Sequence, residues 1–107
     1  MTNNPNIIRK SIGDNIPLTF DWTKTLIDIG AQNETITISN WSVISGTVNI
    51  GADSRPSTVV GKITTCYISG GTVDETSIIN NSITLSNGND VVKLFQVCVH
   101  RGDYVDE

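Results

Sequence analysis

Ser77-Ile78-Ile79-Asn80-Asn81-Ser82-Ile83-Thr84-Leu85-Ser86 runs into Asn87-Gly88-Asn89-Asp90, and Val91-Val92-Lys93-Leu94-Phe95-Gln96-Val97-Cys98-Val99 follows. Ile79, Ile83 and Leu85 share one parity in the first run, and Phe95, Val97 and Val99 share one in the second. Alternate side chains of an extended strand point to opposite faces, so each run reads as a strand with one buried face. Between them Ser86–Asp90 is a hairpin turn, because Asn and Gly accept positive φ at little steric cost. Two long strands folded back on each other set the fold class as β.

Working outward, the rest of the chain repeats this grammar of short β-runs and turn residues. Ile16 to Trp22 alternates Ile16, Leu18, Phe20 and Trp22 with Pro17, Thr19 and Asp21. Pro17 has no amide to donate, which assigns this strand to a sheet edge. Thr23 to Asn33 reads as a turn segment whose Leu26, Ile27 and Ile29 close one end of the core. In Glu34 to Ser45, Ile36 and Ile38 have one parity whereas Trp41 and Val43 have the other. A one-residue slip flips every side chain, so this phase change near Asn40 predicts a bulge or a switch of sheet. Thr47 to Ile50 is a short strand, Gly51 to Pro56 a loop, and Ser57 to Ser69 the longest run, ended by Gly70-Gly71. The composition agrees, with 15 Ile, 10 Val and 13 Thr against 4 Leu and 2 Ala. β-Branched side chains suit a pleated surface and lose rotamer freedom in a helix. In 107 residues, about seven strands with regular turns make a single all-β antiparallel sandwich.

The two ends differ from the middle. Residues 1–12 are polar apart from Ile7, Ile8 and Ile12 and read as an extended N-terminal arm that orders against a neighbour or stays mobile. Residues 13–100 form the sandwich and residues 101–107 a charged tail. Seven Lys and Arg, never more than two together, in a chain of net charge -4 supply no basic surface for a phosphate backbone, so nucleic acid is not an expected partner. No window holds the roughly 18 uncharged apolar residues of a membrane-spanning helix. No charged-then-apolar leader opens the chain, so no secretory signal is read.

Catalytic and metal chemistry find little support. His100 is the single histidine and reads as a solvated residue at the end of the last strand, with no acid–base partner fixed beside it. Cys66, Cys98 and His100 lack metal-ligand spacing, and no cofactor is expected. Cys66 shares the inward parity of Ile68, whereas Cys98 turns outward between Val97 and Val99, so the register disfavours a disulfide and two free thiols are expected. The same parity points Tyr67, Val92, Leu94 and Cys98 outward. An apolar group on an acidic domain is better used as a contact surface than left in water. With Ile7, Ile8 and Ile12 of the arm, these four are the candidate protein-interface residues.

Several stretches then line up in order: Asp21-Trp22-Thr23-Lys24-Thr25-Leu26, the polar strand Ile36 to Trp41, Ile68-Ser69-Gly70-Gly71-Thr72, the hairpin Ile83-Thr84-Leu85-Ser86-Asn87-Gly88, and the closing strand Leu94 to Val99. From Ile16 to Val99 the chain resembles the small Ig-like proteins of tailed bacteriophages, in particular the fiber-tail adaptor type. It departs after Gly70-Gly71, where Val73-Asp74-Glu75 and Ile78 replace a further Gly and a Tyr, and in lacking an acidic opening. The resemblance implies an Ig-like sandwich in which Asp21, Trp22, Leu26, Trp41, Gly70, Gly71 and Gly88 are structural. It implies a non-enzymatic virion protein, made in the host cytoplasm, that links tail or neck to fibers by assembling with itself and with other virion proteins. A capsid decoration (cement) protein gripping its neighbours with the same arm is the rival among structural roles. A carbohydrate- or receptor-binding module using Trp41, Tyr67 or loop acids is the rival of another class.

Overall fold

In the computed structural model, which describes residues 7–51 and 55–101, the alternating runs pair into two sheets. One has the order β1 (Ile7–Ser11), β8 (Asp90–His100), β7 (Thr76–Leu85), β3 (Ile36–Ser45). The other has β2 (Ile16–Asp21), β6 (Ile63–Gly70) and β4 (Val48–Ile50), with β5 (Thr58–Val60) also on β6. Eight strands are thus present among the described residues. β7 and β8 form the expected hairpin, with Thr84 opposite Asp90 and Ile79 opposite Phe95. β2 lies at an edge, as its proline requires.

The inward parities meet between the sheets. Leu18, Val48, Cys66 and Ile68 pack against Ile79, Phe95, Val97 and Val99. A second cluster at one end joins Trp22, Leu26, Ala31, Ile83 and Leu85. Phe20 borders both clusters, its ring centroid 5.1 Å from Trp22 and 5.3 Å from Phe95 in edge-to-face geometry. Trp22, between β2 and α1, is fully buried, as a plug for the core. Asp21 Oδ1 accepts from Thr23 N (2.9 Å) and Thr23 Oγ1 (2.6 Å), satisfying donors where the chain turns.

The structure departs from the sequence reading in five places. The N-terminal arm is, over Ile7–Ser11, a strand of the domain's own sheet, and it runs parallel to β8 while the other pairings are antiparallel. Ile8 lies opposite Val97 and packs on the core, which is the burial that holds β1 in place. Thr23–Asp28 is a helix, α1, rather than a turn; it buries Leu26 but leaves Ile27 and Ile29 exposed. The phase change in β3 sits between Ile36 and Ile38, with another register shift between Val43 and Ser45, and not at Asn40. Ile38 is therefore half exposed while Trp41 and Val43 face the core. Finally, the longest expected run is two strands, because Gly61 takes a φ of 61° and turns the chain between Val60 and Ile63.

A polar network crosses the interior between the two apolar clusters. Trp22 Nε1 donates to Thr64 Oγ1 (3.0 Å) and Asn81 Oδ1 (3.1 Å), and Thr64 Oγ1 donates to the same Asn81 oxygen (2.7 Å). Asn81 Nδ2 donates in turn to Ser39 Oγ and Asn40 O. β2, β6, β7 and β3 are thereby tied in one register, with every polar atom of the Asn81 side chain bonded.

Candidate functional site

Alternation along β8 turns Val92, Leu94, Gln96 and Cys98 away from the core, and the β7 and β3 registers extend this row across the sheet. Leu94 is opposite Asn80, itself opposite Ser42; Val92 is opposite Ser82, itself opposite Asn40. Ile7 adds to the row opposite Gln96, which is opposite Ile78. The result is a broad outer face of aliphatic, amide and hydroxyl groups. Charge enters at its margins, with Arg9 on β1 and Asp90 at the start of β8. Val92 and Leu94 are 51% and 52% exposed, too wet for core residues of this size. Cys98 is half-buried between Arg9 and Thr76, whose hydroxyl approaches its sulfur at 3.8 Å.

Tyr67 does not join them. It lies on β6 opposite Pro17, on the outer face of the other sheet, with the Arg55 guanidinium 5.2 Å from its ring centroid. The four outward residues grouped by parity are thus split between opposite sides of the sandwich, because parity tells inside from outside and not which sheet a strand joins. The three arm residues also separate. Ile7 is exposed, Ile8 faces the core, and Ile12 is exposed while its amide donates to His100 O at 2.7 Å.

Among the signature residues, Leu26 and Trp22 are core, and Trp41 stacks at 5.6 Å on Phe95. Gly70 and Gly71 have φ of 72° and 102° at the corner after β6. At Gly71 a Cβ would come 2.6 Å from Val99 Cγ2, so neither the backbone nor the space admits a side chain. Gly88 supplies positive φ in the β7–β8 turn. With Asp21 accepting donors where the chain turns, each of the seven has a packing or turn role among the described residues.

The two thiols are free and differ in character. Burial alone pushes Cys66 up to about 12, which makes it inert. Sequence reading missed Lys10: it points inward, nearly fully buried opposite Val99, with its ammonium donating to the Ser11 carbonyl at 3.0 Å. Burial lowers its pKa, against the opposing pull of Asp14. Ile8 and Lys10 share a parity, but nothing local to residues 7–11 marks them as a strand with an inward face.

The comparisons with known proteins agree with this architecture. No curated protein matches the sequence significantly. Among solved structures, the solution structure of the PKD domain from KIAA 1837 protein is similar, with a TM-score of 0.55 at 13% identity, covering 97% of this chain and 91% of that one. At that identity the likeness shows an Ig-like fold and nothing about function. The family described as podophage GP4 fiber-tail adaptor protein gp77 matches residues 10–98, from within β1 to near the end of β8. The chain therefore belongs to the podophage fiber-tail adaptor family.

Proposed function

We propose that this protein is a non-enzymatic structural component of a podophage virion that joins the tail to its fibers. The family match across the whole sandwich carries this reading. The outer face of β1, β8, β7 and β3 supports it, since it offers neighbours aliphatic and hydrogen-bonding groups without a field of charge. In this role Val92 and Leu94 at its centre contact the adjoining virion protein. The opposite loops, at α1 and the β7–β8 turn, remain free to receive the fiber.

The test is genetic. Particles assembled without this protein should keep capsid and tail yet lack fibers, and supplying the protein in trans should restore them. Fully fibered particles in its absence would overturn the reading.

A further inference from the structure

Among the described residues the two sheets leave five strands with an unpaired side, and four of these are guarded against pairing with another chain by charge, proline or short length. β1 has Arg9 and the inward Lys10; β2 has Pro17 and Asp21; β4 and β5 have 3 residues each. Charged edges, inward charges, proline and short length are the devices by which sheets avoid edge-to-edge association. β3 differs. It is 10 residues long, Ile36 to Ser45, with no charged residue and no proline, and among the described residues it pairs to β7 alone. Its own guard is a pair of register shifts, but these lie near its ends, so Ile38 to Val43 runs in unbroken register between them.

We propose that β3 is the site of self-association, and that two copies of this chain pair antiparallel through it about a two-fold axis at Trp41. The strand is close to self-complementary about that residue. Such pairing sets Asn40 opposite Ser42 of the other copy and brings Ile38 against Ile44, which sits at the register shift after Val43. Ile38 and Ile44 are 50% and 56% exposed in the single chain, and the pairing covers each with the other. No like charges meet at the seam, although each copy carries a net charge of -4. Cross-strand aliphatic pairs and amide–hydroxyl pairs are the contacts that stabilise a sheet. An isologous interface also closes after two copies, so the strand does not seed a fibre. The pairing does not rest on the adaptor role.

The test uses the full chain and two double variants, Ile38→Lys with Ile44→Lys, and Ile38→Glu with Ile44→Glu. Sedimentation equilibrium on the wild type should show a monomer–dimer equilibrium on raising the concentration to about 1 mM, the weak end of specific association. Each variant alone should stay monomeric, its dissociation constant raised at least about tenfold by two like-charge pairs at the seam. An equimolar mixture should recover a mixed dimer, because residue 38 of one copy then meets the opposite charge at residue 44 of the other. Amide exchange in wild-type Ile38–Ile44 should also slow with concentration, a readout that needs no variant. A wild type monomeric throughout, variants that dimerise as it does, or a mixture that stays monomeric would each overturn the proposal.

Discussion

Asn81 shows how one side chain holds the two sheets together. It sits fully buried in β7, accepts from Trp22 and Thr64 of one sheet, and donates to Ser39 and Asn40 of its own. Replacing it with Ala removes the acceptor of the Thr64 hydroxyl and the donor to Asn40 O, and leaves the Trp22 indole N–H with Thr64 Oγ1 alone, near a new void. We expect Asn81→Ala to cost about 3 kcal/mol in urea unfolding, the scale of unpaired buried polar groups. A loss below about 1 kcal/mol would mean that the network relaxes around the gap. The thiols make a second prediction at this scale. In the native protein an alkylating reagent should label Cys98 at once and Cys66 only as the chain unfolds, with both labelled in denaturant and no reductant needed. The raised Cys66 pKa also fixes a pH dependence. The unfolded thiol ionises near its ordinary value of 9.0 while the folded one holds its proton to about 12. Folded chain then binds more protons than unfolded, so the stability gained from Cys66 is full below pH 9 and is lost as pH rises toward 12. The stability gap between wild type and Cys66→Ala should narrow across that window in denaturant titrations.

At the level of elements, the long hairpin was legible because both of its strands alternate cleanly and its turn has Asn-Gly chemistry. Ile79, Ile83, Leu85, Phe95, Val97 and Val99 are all buried as their parity required. β3 was legible as a strand with a slip but not as to where the slip falls, because Ile38 and Trp41 bound a stretch of Ser and Asn with no apolar residue to mark its phase. α1 was hidden: its 6 residues have no side-chain cap and carry Thr and Ile, poor helix formers. β1 was hidden for another reason. Its pairing with β8 joins the two ends of the chain in parallel, and no local pattern encodes a contact that distant. The contact face was half legible, since outward direction follows from parity whereas membership of a sheet follows from topology. Leu94 is the residue on which this face is best tried. Leu94→Lys should unfold at the wild-type midpoint within about 0.5 kcal/mol, as surface substitutions do. The same variant should fail to enter particles when supplied to an adaptor-deficient phage. Unfolding of the variant would instead assign Leu94 to the core.

For the whole molecule, the sandwich is a scaffold whose interior explains the family signature and whose outside carries the work. Trp22, Leu26, Trp41 and the corner glycines belong to the interior packing and the turns, with Asp21 satisfying donors beside Trp22. The surfaces left over are an outer sheet face charged only at its margins and a β3 edge without charge or proline on one side, with exposed Ile27 and Ile29 at the α1 end. A part placed between larger structures needs several independent contact surfaces and no reaction centre. The most direct measurement is to label this protein with a specific antibody on purified particles and image them by electron microscopy. The adaptor role predicts label at the tail, in small fixed copy number, where the fibers attach. Label spread over the capsid, or none on the particle, would contradict it.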